Sequence, residues 1–168
     1  MGYVHDTQMS AFTTPAEMIG TVGAFANTVA AHIWTLNKTA ADNTSVIKIP
    51  LKLPANAAAL KGAYLKSVDI WWTCGTGANE VVSAEIYKST FPANTAALTT
   101  ASVAFSYDTG HDTAAERITL AAHKMTLTIT TPFWVDEDNE VYVELTIDAA
   151  ANSVDVLQGA RANYTLRL

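Results

Sequence analysis

From Thr28 onward, apolar and polar positions alternate along the chain. "TVAAHIWTL" sets Ala30, His32, Trp34 and Leu36 against Val29, Ala31, Ile33 and Thr35. In "SVIKIPLKL", Ile47, Ile49, Leu51 and Leu53 share one face and Lys48 and Lys52 take the other. "AYLKSVDIWWTC" sets Tyr64, Lys66, Val68, Ile70 and Trp72 against Leu65, Ser67, Asp69 and Trp71. The same spacing groups Val82, Ala84 and Ile86, then Val103, Phe105 and Tyr107. "ERITLAAHKMTLTIT" holds two short apolar patches. Val141, Val143, Leu145 and Ile147 alternate with Tyr142, Glu144, Thr146 and Asp148. Ala160, Ala162, Tyr164, Leu166 and Leu168 alternate with Arg161, Asn163, Thr165 and Arg167. Successive strand side chains point to opposite faces, so a period of two predicts strands buried on one side only. About eight such strands follow from the turn residues between them. Pro50 marks its strand as an edge or a bulge, because proline donates no ladder hydrogen bond. No stretch supplies the crossover helices that parallel sheets need. The prediction is an all-β fold: an antiparallel two-sheet β-sandwich, jelly-roll-like.

Before Thr28 the period is lost. Residues 1–27 are expected to form an extended N-terminal arm, and residues 28–168 a single β-sandwich domain. "TTPAEMI" carries a helix-start pattern, with Thr13 or Thr14 as cap, Pro15 in the first turn and Glu17 behind. Large apolar residues punctuate the arm at Tyr3, Met9, Phe12, Met18, Ile19 and Phe25. A segment of this kind needs a surface to lie on, so Tyr3, Met9, Phe12, Met18 and Phe25 are candidate interface residues.

The 168 residues suit one domain. Only 15% are charged, which favours a surface partly covered by neighbours. The net charge of -6 argues against a partner that presents a phosphate backbone, so no nucleic acid is expected. No apolar run reaches the roughly 20 residues of a membrane-spanning helix, and the start of the chain lacks a signal-peptide build. The protein is therefore expected to be made and kept in a cytoplasm, or released by lysis. One cysteine, Cys74, excludes an intrachain disulfide, and reads as a small buried residue at a strand end.

Candidate chemistry is sparse. "DEDNE" at Asp136–Glu140 reads as a polar turn, since it lacks the glycine-centred spacing of a calcium loop. His5, His32, His111 and His123 show no zinc spacing. His111 with Asp112 and Glu116 has the residue types of an acid–base set, but "DTGHDTAAE" reads first as a loop. "GTG" at Gly75–Gly77 opens no helix, so it is no phosphate loop, and no nucleophile elbow occurs. Glu85 and Glu144 fall on outward strand positions and would suit glycoside hydrolysis only if adjacent. No metal and no cofactor is expected. Trp71 and Trp72 must point to opposite faces: one enters the core, and the other becomes a surface contact for a loop, a partner or a sugar.

The run "IWWTCGTGANEVVSAEIYK" and the later "PFWVDEDNEVYVELTIDAAANSVDVLQGARANYTLRL" resemble small all-β virion domains of tailed bacteriophages, over about residues 64–168. Val141, Val143, Leu145 and Ile147 match the first strand of that pattern. Asp148-Ala149 match its turn, Asp155–Gly159 the second turn and Tyr164-Thr165 the final strand. Ile147 stands where the pattern has Arg. The resemblance implies a non-enzymatic bacteriophage structural protein, a capsid decoration or cement component, assembling as a trimer or higher with itself and with other virion proteins. The alternative is a receptor- or carbohydrate-binding module with the outward member of Trp71/Trp72 as platform.

Overall fold

The computed structural model describes residues 6–22, 25–30, 32–38, 43–56, 61–75, 79–94, 96–149 and 155–167. Twelve strands are found among them: β1 (Asp6–Thr13), β2 (Ile19–Val22), β3 (Phe25–Ala30), β4 (Ile33–Lys38), β5 (Asn43–Leu51), β6 (Gly62–Cys74), β7 (Asn79–Thr90), β8 (Thr99–Val103), β9 (Phe105–Tyr107), β10 (Ala122–Trp134), β11 (Asn139–Ala149) and β12 (Asp155–Arg167). A 3-10 turn spans Pro15–Glu17, and one short helix, α1, spans Ala114–Arg117.

The strands form two antiparallel sheets of a β-sandwich. The seven-stranded sheet runs β3-β4-β12-β6-β10-β9, with β1 also on β12. Strands β1 and β4 share one side of β12 because β4 pairs at Val156 and Leu157 while β1 pairs from Ala160 to Arg167. The five-stranded sheet runs β2-β5-β11-β7-β8. Between the sheets lie Val68, Ile70, Trp72, Met125, Leu127, Leu157 and Ala160 from one layer, and Ile47, Ile49, Ala84, Ile86, Val143 and Leu145 from the other. Full burial of each large aliphatic side chain contributes about 1.5–3 kcal/mol, and this row of alternate positions holds the layers together.

Several strand boundaries differ from the periodicity. "TVAAHIWTL" is a hairpin, β3 and β4, that turns through His32 at φ 69°. Ala30 pairs with Ile33 across a two-residue connection, so alternation passes through the turn unbroken and hides it. Val103 to Tyr107 divides between the two sheets, with β8 on β7 and β9 on β10. In β7 a register shift buries Val81 and leaves Val82 exposed. In β6 a shift after Leu65 buries Leu65 together with Val68. Pro50 is tolerated because β2 pairs with β5 only between Val46 and Lys48.

The described part of the N-terminal segment is extended and lies on its own chain. Strand β1 joins one sheet and β2 the other, so the segment crosses the sandwich edge through the 3-10 turn. The helix-start pattern acts there: the Thr14 amide donates to the Glu17 carboxylate at 2.9 Å. Thr13 fixes the crossing by donating its hydroxyl to the Pro50 carbonyl at 2.5 Å.

Candidate binding face

The outer face of the seven-stranded sheet carries the densest set of ordered polar and aromatic side chains. Its centre is Asp69, on β6 and 2% exposed. Register sets Arg161 of β12 on one side of Asp69 and Thr126 of β10 on the other. Arg161 donates from Nε and Nη2 to Asp69 Oδ2 at 3.1 and 2.6 Å. Asn163 Nδ2 donates to the same oxygen at 3.1 Å, and Thr126 Oγ1 donates to Oδ1 at 2.7 Å. Lys124 Nζ lies 3.6 Å from Oδ1. Burial raises the Asp69 carboxyl, but the hydrogen bonds from Thr126, Asn163 and Arg161 and the Lys124 charge outweigh it, holding the group below the usual carboxylate range.

This buried acid fixes a cation against aromatic rings. The Arg161 guanidinium sits 5.3 Å from the Trp71 ring centroid and 5.7 Å from that of Phe12. Lys124 lies over Trp71 at 5.8 Å. Phe12 and Trp71 stack at 6.5 Å with an interplanar angle of 24°. They meet across β12, where Gly159 is the register partner of Trp71. The backbone there has φ 152°, which favours glycine. Beside the pair opens a groove of about 270 Å³ lined by Phe12, Thr13, Thr14, Pro15, Trp71, Gln158 and Gly159. Two hydrogen bonds to Asp69 thus hold Arg161 over the rings.

Trp71 is therefore the outward member of the pair and Trp72 the inward one, 1% exposed. Phe12 is 60% exposed and Met9 43% exposed. Phe25 packs partly against the core. Met18 is a core residue at 4% exposure, which corrects its assignment to an arm interface: the chain turns inward after the 3-10 turn. Tyr3 and His5 lie outside the described residues.

The other candidates separate. His111 does not work with Asp112 and Glu116. Its Nδ1 faces Asp108 Oδ1 at 2.6 Å and its Nε2 faces His123 Nδ1 at 3.2 Å. His123 Nε2 meets the Thr119 carbonyl at 2.8 Å, which only an N–H can satisfy, and the ring stacks on Trp72 at 4.7 Å. Glu116 instead caps α1 through Thr113. These histidines tie the α1 segment to the sheet from largely buried positions. Cys74 is buried, and that burial, reinforced by the Asp155 charge, pushes its thiol up to about 11, far from a reactive thiolate. Asp136–Asp138 make a hydrogen-bonded turn before β11. Glu85 and Glu144 do stand opposite each other across β7 and β11. Glu85 is exposed and Glu144 pairs with Lys48 at 3.6 Å, so neither has the apolar enclosure of a proton-donating carboxyl. Sequence reasoning missed Asp69, Arg161, Lys124 and Gly159. The available signal was the outward row Arg161, Asn163, Thr165 of β12 beside the outward Asp69 and Trp71 of β6.

No protein-family profile and no curated protein matches the sequence. Solved structures do resemble it in fold. One is a low-affinity xylan-binding module from Roseburia intestinalis, with 13% identity, TM-score 0.41, and coverage of 93% of this chain and 96% of that one. Another is the N-terminal part of an endo-1,4-β-D-xylanase of Clostridium thermocellum complexed with xylohexaose, with 8% identity, TM-score 0.42, and coverage of 93% and 27%. A bacteriophage tailspike domain shows 5% identity and TM-score 0.36, with coverage of 93% and 19%. At these identities the likeness is one of fold. The expected bacteriophage capsid, decoration or cement role is corrected on this finding: the solved structures similar to the chain include several carbohydrate-binding modules.

Proposed function

We propose that this protein is a non-catalytic carbohydrate-binding module that holds glycan on the outer face of its seven-stranded sheet. One observation carries this: Phe12 and Trp71 form an accessible aromatic surface beside a groove, with Arg161 fixed against both rings by buried Asp69. The electron-rich face of an indole attracts the polarised C–H face of a sugar ring, and a few fixed donors then select its hydroxyls. Arg161 is such a donor, and Asn163, whose amide N–H groups go to Ser67 and Asp69, offers its Oδ1 as an acceptor; both are already held in place, which limits the entropic cost. The acid beside this aromatic pair, Asp69, is taken up by hydrogen bonds from Arg161, Asn163 and Thr126.

Affinity electrophoresis tests the proposal, using gels cast with xylan, β-1,4-galactan or mixed-linked β-glucan. At least one polymer retards the native protein, and Trp71→Ala abolishes the retardation while the fold is retained by circular dichroism. Native migration in every gel overturns the proposal. Release of reducing ends from any polymer overturns its non-catalytic part.

A further inference from the structure

The Trp71 patch has a counterpart at the far end of the same face. Tyr64 of β6 and Trp134 of β10 are register partners, and their rings lie 4.8 Å apart. Arg167 of β12 sits over Trp134 at 5.2 Å. Its register partner on β6 is Gly62, whose φ of 83° favours glycine. Asp6 of β1 holds Arg167, accepting from Nε at 3.0 Å and Nη2 at 3.4 Å. The two patches share one plan: a β12 arginine, an acid that holds it, and a tryptophan ring under its guanidinium. Arg167 lies six positions after Arg161, so the patches stand about 20 Å apart along the strand. Between them the face is polar, with Ser67, Asn163, Lys66 and Thr128 and no large apolar side chain.

The charge of this face is opposite to that of the chain. Arg161, Arg167, Lys66 and Lys124 stand against Asp69 and Asp6, while the whole protein carries -6. The two arginines are matched by the two acids, which leaves a positive excess from Lys124 beside the first patch and Lys66 on the polar stretch.

Resting on the glycan-binding proposal above, we infer that the ligand is a linear, carboxylate-bearing glycan that lies along β6 and β12 and engages both aromatic patches at once. A short sugar reaches one patch only. A longer one gains the second contact as an intramolecular step, which raises affinity without altering the first. Lys66 between the patches and Lys124 beside the first meet the carboxylates.

Isothermal titration with α-1,4-linked oligogalacturonates of two and six units tests this, with neutral xylo-oligosaccharides of the same lengths as comparators. The six-unit acidic chain binds about tenfold or more tighter than the two-unit chain. Trp134→Ala removes that gain and leaves two-unit binding unchanged. Lys66→Glu, a substitution at an exposed position that leaves both patches intact, weakens the six-unit acidic chain alone. Equal affinity for both lengths overturns the two-patch ligand, yet keeps glycan binding at Trp71. Equal affinity for neutral and acidic chains overturns the carboxylate requirement. A dimer in sedimentation that dissociates on Trp134→Ala assigns the second patch to self-association and overturns the inference. Binding of no glycan, acidic or neutral, removes the underlying proposal itself.

Discussion

The two outer faces of the sandwich use similar residues to different effect. On the seven-stranded sheet, Asp69 is buried, takes four hydrogen bonds and orders Arg161 against Trp71 and Phe12. On the five-stranded sheet, Tyr87 and Tyr142 stack at 5.4 Å, and Lys48 lies 5.0 Å over Tyr142 and 3.6 Å from Glu144. There the acid is partly exposed, the ion pair is loose, and a second acid, Glu85, stands directly opposite Glu144. Like charges opposite one another oppose pairing, and exposed ion pairs add little. Aromatic rings and charges are thus common to both faces. What distinguishes them is burial of the acid, which turns a surface contact into a fixed one.

The largest expected difference is in stability. Asp69→Ala leaves Arg161 and Lys124 without their acid and strands the Thr126 and Asn163 donors, at a cost of about 3 kcal/mol. Glu144→Ala on the other face costs about 0.5 kcal/mol or less. Urea titration of both variants measures the pair. Equal costs would mean that burial of Asp69 contributes nothing beyond a surface ion pair, and the contrast between faces would fail.

Binding comes next. Trp71→Ala weakens glycan binding by roughly tenfold or more, enough to abolish retardation in the polymer gel, while Tyr142→Ala leaves it unchanged. If Tyr142→Ala abolishes binding and Trp71→Ala does not, the ligand sits on the five-stranded sheet and fixed geometry is not what selects the face.

Acid sharpens the contrast further. The Asp69 carboxyl lies below its unfolded value, so its contribution to stability is fully present above about pH 4 and is lost as pH falls through the lower folded value. Asp69→Asn lacks this group's share of the acid loss. Its stability, lower at neutral pH, therefore converges on that of the native protein as the medium is acidified. A constant difference between the two across this window would show that Asp69 titrates no differently folded than unfolded.

Much of the fold was legible because burial follows parity. Ile47, Ile49, Val143, Leu145, Ala160 and Ala162 stand in the core as their alternation requires. Parity has no length scale, however. It cannot see a two-residue turn such as that between β3 and β4, and one register shift reverses it, as at Val82. The site was legible only in part. Alternation alone separates Trp71 from Trp72, and it placed one of them outward without saying which. Asp69, Arg161 and Lys124 come from three strands far apart in sequence. Only the pairing of β6 with both β10 and β12 brings them together, and a period of two carries no information about pairing order. Glu85 and Glu144 illustrate the converse, since they are adjacent in space yet exposed, and adjacency alone makes no acid catalyst.

The smallest expected effect concerns the charge left unbalanced on the five-stranded face. Partial burial raises the Tyr87 phenol above its ordinary value, and Glu144, Glu85 and Tyr142 raise it further, while Lys48 acts the other way. Glu85→Gln removes one negative neighbour without changing shape, so the phenol should titrate lower than in the native protein, as followed by ultraviolet difference absorbance. Glu144→Gln removes the other negative charge but also frees Lys48 from its partner, so it should lower the titration further than Glu85→Gln does. The double variant leaves burial and Tyr142 as the raising causes. If neither single variant moves the titration, water screens both carboxylates completely from the phenol. The five-stranded face would then be electrostatically silent, and the difference from the Asp69 face would be one of kind rather than degree.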